Sequence, residues 1–349
     1  MTDPRPETRV IQPRGRLRLI LSRPALAGVM VITALEWGLI LFRPEHGLLA
    51  ILQVLAPHLA LLGLVLVPLS LLELRASSIV TAVLLGVVVS LRFGGDWVSL
   101  PVASASGAMN LEVVTWNLEV DSRPGVDSVA LIRGQEADLI ALQELQPDTA
   151  AAIVADPTLI ERFPYRSLVP RHDVLGLGLL SRLPIIDSSF ALEPAVQEAL
   201  LDLGVGRTLA VINAHPYHAD IEFLGTTNLP VGLDSRIRND DLDRIRGRVD
   251  ARIGQGLPVV LLGDLNTAAS EPAFDRFVDG LREVHREVGF GTGWTWRPSR
   301  LEFLGIGLVR IDHVVVSPDI APLSISGTCP PVGDHCFVDA LIGVPSGGG

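Results

Sequence analysis

Six short polar groupings between residues 109 and 345 carry side chains suited to metal binding or proton transfer. They are Asn117, Glu144, His215, Asp264 with Asn266, Asp312 with His313, and Asp334 with His335. The first four follow directly on apolar runs: Asn117 after VVTW, Glu144 after IALQ, His215 after VINA, and Asp264 with Asn266 after VVLLG. Oxygen-rich sets of this kind suit a hard divalent cation, which prefers one or two carboxylates, amide oxygens and water. A histidine oriented by a carboxylate is a common proton acceptor. Cation and histidine together fit hydrolysis of a phosphoester, in which negative charge on the phosphoryl oxygens must be neutralised and a water deprotonated. Glu144 and Asn117 are candidate metal ligands, and His335 with Asp312 is the candidate base and its orienting partner. Taken singly, each residue also serves as an ordinary turn or cap. Jointly they form the inventory of a metal-dependent phosphohydrolase.

Rigid elements must hold these groups. Runs rich in β-branched and aliphatic residues begin at 111 (LEVVTWN), 137 (ADLIALQE), 175 (LGLGLLSR), 208 (TLAVINAH), 258 (PVVLLGDLN), 310 (RIDHVVVS) and 336 (CFVDALIGV). Between 234 and 253, Ile237, Leu242, Ile245, Val249 and Ile253 recur at near-helical intervals. Strands interleaved with helices predict an α/β domain whose sheets are covered by helices. A strand end fixes a side chain while leaving it at the mouth of the sheet, where catalytic groups belong.

Six motifs in order, WN at 116–117, LQE ending at Glu144, His215, GDLN at 263–266, RID at 310–312 and GDH at 333–335, make this region resemble the endonuclease/exonuclease/phosphatase superfamily. That is the fold of DNase I, sphingomyelinases and inositol polyphosphate phosphatases. The resemblance covers residues 109–345 and implies a four-layer αββα sandwich acting with Mg²⁺ or Mn²⁺. It further implies that Asp264 and Asn266 position the nucleophile or phosphate, that His215 contacts the scissile phosphate or protonates the leaving group, and that Asp334 completes the metal site. Either Asp264 or His335 is the base. The last motif of the family ordinarily reads Ser-Asp-His. Gly333 stands in the serine's place, which removes a hydroxyl but no catalytic atom. His172, His218, His285 and His313 match no motif position, and Trp294 and Trp296 read as packing residues near the site.

The rest of the chain is of another kind. Of 28 basic and 39 acidic residues, 9 and 6 fall in residues 1–108, leaving 19 and 33 in residues 109–349. The acidic part gives no electrostatic footprint for long nucleic acid. A mean hydropathy of +0.41 is high for a soluble protein, and the apolar excess lies in three runs: Ala25–Phe42, Leu48–Leu72 and Ser77–Leu91. About 20 apolar residues cross a bilayer, so residues 24–92 read as three spans, the third being short. Glu36 and His58 lie inside the runs, as interhelical or water-accessible groups. Six arginines precede the first span in a 1–23 tail, whereas only Arg43 directly follows it. This bias predicts a cytoplasmic N-terminus and, with three crossings, a C-terminal domain outside. The Gly- and Ser-rich segment 93–108 reads as a tether. Outside the cytoplasm a disulfide between Cys329 and Cys336 is chemically allowed, and it would brace Asp334 and His335.

The same resemblance extends to bacterial membrane phosphatases linked to teicoplanin resistance, which implies an undecaprenyl diphosphate-like substrate. A domain tethered at a membrane works at raised effective concentration of a lipid-linked phosphate or diphosphate. The alternatives are a surface nuclease or nucleotide- or sphingomyelin-type phosphodiesterase, and a non-enzymatic envelope sensor or scaffold. Nothing in the sequence points to a protein partner.

Overall fold

In the computed structural model, residues 13–99, 108–119, 125–227, 229–331 and 333–345 are described. The chain divides into two compact units: residues 1–43 with 55–93, and residues 44–54 with 94–349.

The first unit is helical. Among the described residues, three helices are long and apolar enough to cross a membrane: Arg18–Phe42, Ala56–Glu73 and Ala76–Trp97. The helix carrying the first span starts at Pro13, ahead of the expected bound at residue 24. Two expectations need correction. The apolar run 48–72 is not one span. A short helix, Leu48–Val54, ends before a new one starts at Ala56 with Pro57 in its first turn, where proline's missing N–H costs nothing. The tether also begins later than expected, because the third helix continues through Gly94, Gly95, Asp96 and Trp97. Residues 100–107 of that tether lie outside the described residues. Glu36 is buried against Arg92, 2.7 Å away, an ion-pair partner that the sequence did not reveal.

Among the described residues, the second unit contains fourteen strands. In chain order they are β1 (Met109–Asn117), β2 (Leu139–Gln143), β3 (Tyr165–Val169), β4 (Leu177–Ser181), β5 (Ile185–Leu192), β6 (Ala195–Gly204) and β7 (Arg207–His215). They continue as β8 (Asp220–Phe223), β9 (Pro230–Asp234), β10 (Val259–Asp264), β11 (Arg282–Glu283), β12 (Asp312–Val316), β13 (Ala321–Thr328) and β14 (Phe337–Val344). All seven runs read as strands in the sequence contribute one. Two mixed six-stranded sheets form, in the orders β13-β14-β1-β2-β4-β3 and β11-β12-β10-β7-β6-β5. Each has one parallel pair, β1 with β2 and β10 with β7, flanked by antiparallel neighbours. The two sheets therefore repeat one pattern.

Side-chain alternation along the strands explains the layering. Val113 of β1 and Val260 and Leu262 of β10 enter the core between the sheets. Val114 and Ile140 face outward onto Ile132 and Ile153 of the helices Gly125–Arg133 and Pro147–Ala155. Val259 and Leu261 face outward onto Leu242, Ile245 and Val249 of the helix Arg236–Gly254. The result is an α/β sandwich of four layers, helices outside and sheets inside. Ile237 departs from the expected apolar stripe of that last helix and is 59% exposed.

Candidate active site

The topology brings the motifs to one end of the sandwich. The parallel strands β1 and β2 end there together, with Asn117 in register with Gln143, the residue before Glu144. His215 ends β7 and Asp264 ends β10. β12 runs antiparallel to β10 and begins where β10 ends, so Asp264 pairs with Asp312. β14 starts two residues after His335 and runs antiparallel to β1. Two motifs thus sit at strand starts rather than strand ends, yet reach the same place because their strands are antiparallel. Gly263 permits close packing here, since a Cβ on it would lie 2.0 Å from the Ala214 carbonyl oxygen. Glu144 and Asn266 hold positive φ values of 54° and 49°, uncommon for non-glycine residues and typical of strained functional positions.

His335 Nδ1 lies 2.9 Å from Asp312 Oδ2 and 3.1 Å from Oδ1. Its Nε2 faces Asp264 Oδ2 at 3.6 Å and Asp334 Oδ1 at 3.7 Å. His215 Nδ1 contacts the Val174 carbonyl at 2.9 Å, so its proton sits there and Nε2 points at Asp264 (3.6 Å) and Glu144 (3.7 Å). Asn117 donates through Nδ2 to Glu144 and to Asp264, each at 3.0 Å, while its Oδ1 accepts from the Glu119 amide. As placed, Asn117 orients the two carboxylates rather than presenting its oxygen to them. The Asn266 amide N–H donates to Asp264 Oδ1 at 2.8 Å, and its side chain to the Pro216 carbonyl at 3.1 Å.

Charges here are strongly coupled. Burial alone would push His335 down, but Asp312, Asp264 and Asp334 outweigh it and carry it up to about 10. Burial would raise Asp264, yet His335 and His215 bring it to about 2. Burial would lower His215, but Asp264 and Glu144 hold it above its ordinary value. Asp334 is pushed up to about 6 by burial, Glu119 and Glu144, against the opposing pull of His335. Its buried Oδ1 accepts no hydrogen bond. Crowded carboxylates with an unbonded buried oxygen are what a divalent cation would satisfy. Asp264, Asp312 and His335 also offer donor atoms within 4.8 Å of one another and could hold a metal. His335, however, already spans those two carboxylates, so Glu144 and Asp334 are the better-suited pair.

Residues outside the six motifs complete the site. Trp296 Nε1 donates to Asp334 Oδ2 at 2.9 Å, so this residue does more than pack. The Thr295 hydroxyl accepts from the Asp312 amide, and the neighbouring Arg297, wholly buried, donates to the carbonyls of Pro330 and Gly333. One short segment thereby clamps both loops of the His335–Asp312 pair. Cys329 and Cys336 are joined as a disulfide around the same loop. Arg238 pairs with Glu271 at 2.7 Å and donates to the Asn266 carbonyl at 3.0 Å. A signal for it was present: Arg238 shares the helical face of Leu242, Ile245 and Val249, where a charge needs a partner. His285 and His313 are buried beside Glu283.

The cleft over these groups has a volume of about 420 Å³. Its lining includes Glu119, Glu144, Asp264, Asp334, His215 and His335, together with the apolar Val54, Val174, Leu175, Ile221, Leu233 and Val309.

Residues 114–335 match the family model described as the endonuclease/exonuclease/phosphatase family. Among solved structures, an endonuclease/exonuclease/phosphatase from Bacteroides vulgatus superposes with a TM-score of 0.53 at 16% identity, covering 67% of this chain and 98% of that one. TDP2 from C. elegans gives 0.51 at 16% identity, over 68% and 76%. D. rerio TDP2 complexed with single-strand DNA product gives 0.50 at 14% identity, over 67% and 98%. At such identities these likenesses show the fold. No curated protein matches the chain.

Proposed function

The chain belongs to the endonuclease/exonuclease/phosphatase family, and from that premise we propose that it is a membrane-anchored, divalent-metal-dependent phosphoester hydrolase acting on a lipid-linked phosphate or diphosphate. The observation that carries the substrate class is the composition of the cleft. Its lining combines candidate catalytic carboxylates and histidines with apolar residues suited to a hydrocarbon chain.

Glu144 and Asp334 would hold Mg²⁺ or Mn²⁺, with Asn117 fixing the Glu144 carboxylate. The bound ion supplies neutralisation of charge on the phosphoryl oxygens. Asn266 and Asp264 orient the attacking water. Its oxygen bonds to phosphorus, the bond from phosphorus to the leaving oxygen breaks, and the water's proton passes to the Asp264–His335 pair. His215 gives a proton to the leaving oxygen. Asp312 holds the His335 ring so that Nε2 faces Asp264 throughout.

Anchoring outside the cytoplasm draws support from chain connectivity. Pro44–Val54, the segment between the first and second spans, folds as part of the catalytic unit. Asn239 bonds Glu45 there, Arg276 pairs with the same Glu45, and Gly47 exchanges backbone hydrogen bonds with Leu233. A segment following one crossing and a domain following three share a membrane face, whereas two crossings would part them. The arginine-rich start and the closed disulfide agree with the outward face.

A nuclease or phosphodiesterase reading is favoured by the DNA product named for the D. rerio neighbour, and opposed by the acidic excess. A panel decides between them: full-length protein in detergent micelles with Mg²⁺, offered polyprenyl diphosphate, phospholipid, a nucleotide diester and plasmid DNA. Phosphate or head-group release from the lipids supports the proposal. Cleavage of DNA alone makes the protein a nuclease, and inertness toward every ester makes it a scaffold.

A further inference from the structure

Strands β8 and β9 form a two-stranded hairpin separate from both large sheets. Such a hairpin is marginal in water, and this one exposes Ile221, Phe223, Leu224, Leu229 and Val231. Contiguous exposed apolar surface of this sort marks a contact site. Ile221 stands opposite Leu233 across the hairpin, and both line the catalytic cleft. Phe223 follows Ile221 on the same face, while Asp220 and Glu222 take the other. Leu224 and Leu229 close the turn, bonded backbone to backbone at 3.0 Å. An apolar strip therefore runs from the catalytic wall to the hairpin tip.

Connectivity says what covers it. Leu233 exchanges backbone hydrogen bonds of 2.9 and 3.3 Å with Gly47, and Gly47 follows the last residue of the first apolar helix, Phe42, by five positions. Five residues reach at most about 18 Å. Leu48 and Leu49, next in the same segment, are exposed as well. The chain therefore leaves the apolar helix no more than that reach from Leu233 at the base of the hairpin.

We propose that the β8–β9 hairpin is a membrane-interface element: its apolar strip sits at the boundary of head groups and acyl chains, and a lipid-borne phosphate enters the cleft along it. The inference rests on reading the three helices as spans and on a lipid substrate. The test uses the full chain with Leu224→Cys, labelled with an environment-sensitive NBD dye, in vesicles of three parts phosphatidylcholine to one part phosphatidylglycerol. A label at Val205→Cys, on a turn where the native residue is 99% exposed, serves as reference. The expected result is a blue-shifted emission at 224 that falls roughly twofold when doxyl-labelled lipid is included, as for side chains buried in the interface, with 205 unchanged. Phe223→Cys gives a second reporter should the first variant fail to fold. Emission at 224 and 223 as water-like as at 205, or quenching that follows protein density without doxyl lipid and so signals a second copy, overturns the proposal. Phosphate release from polyprenyl diphosphate is read on the same vesicles. Release without lipid quenching removes the hairpin's role and keeps the function, and quenching without release does the reverse.

Discussion

Arg310, two residues before Asp312 in the RID motif, places its Nη2 2.8 Å from Oδ2 of Asp96, near the end of the helix Ala76–Trp97. Its Nη1 reaches Glu283 at 3.1 Å, and Asp96 also pairs with Arg286. The last turn of an apolar helix is thereby tied to the segment that leads into β12 and Asp312. Asp96→Asn should cost about 1–3 kcal/mol, since Arg310 keeps Glu283 but loses one charged partner in a buried setting. Thermal unfolding of the full chain in micelles measures this. An unchanged midpoint would show that the pairing does not secure the strand.

His285 offers a pH test at a histidine outside the six motifs. Burial, then the neighbouring Arg310, pushes it down to about 3 from an ordinary 6.5, so it is neutral when folded. Because the unfolded chain binds this proton first, the stabilising difference is complete above pH 6.5 and is lost as pH falls from 6.5 toward 3. The slope attributable to this group is at most about 1.4 kcal/mol per pH unit. His285→Leu should flatten stability over that window relative to the parent, and parallel curves would contradict the assignment.

Much of this architecture was legible from residue order. Runs such as VVLLG ahead of Asp264 combine strand character with an abrupt polar end, so both element and site residue show locally. What was hidden depends on distant partners. Gly94-Gly95-Asp96-Trp97 reads as a tether because two glycines disfavour helix, whereas in the structure Asp96 pairs with Arg310 and Arg286 and the Trp97 carbonyl accepts from Gly291. Trp296 resembles any core tryptophan until Asp334 is found beside its indole nitrogen. β6 escaped because Gln197 and Glu198 interrupt it. In the structure Gln197 donates to Ser167 and Glu198 pairs with Arg248 and Arg252, contacts that no local pattern announces.

Trp296→Phe keeps the ring packing and removes the hydrogen bond to Asp334. Partners that hold a metal-ligating carboxylate are commonly worth 10–100-fold in metal affinity. The Mg²⁺ concentration for half-maximal activity should therefore rise by about tenfold or more. Titration of activity against Mg²⁺ checks it, and an unchanged midpoint would separate Asp334 from the metal.

Closure of the Cys329–Cys336 loop, with a sequence separation of 7, corresponds to about 2.5 kcal/mol of chain entropy. Unfolding in the presence of reductant should be easier by a comparable amount. Thiol titration of protein unfolded without reductant should find both cysteines blocked, and two free thiols would remove this support for an outward-facing domain.

The most direct measurement is phosphate release from polyprenyl diphosphate by the full-length protein in micelles with Mg²⁺, compared with Asp264→Ala and with the parent in EDTA. The site described here predicts steady release by the parent and a loss of at least about a hundredfold in the variant, with release abolished by EDTA and restored by added Mg²⁺. Equal rates for parent and variant, or release indifferent to EDTA, would contradict a metal-dependent hydrolase centred on Asp264.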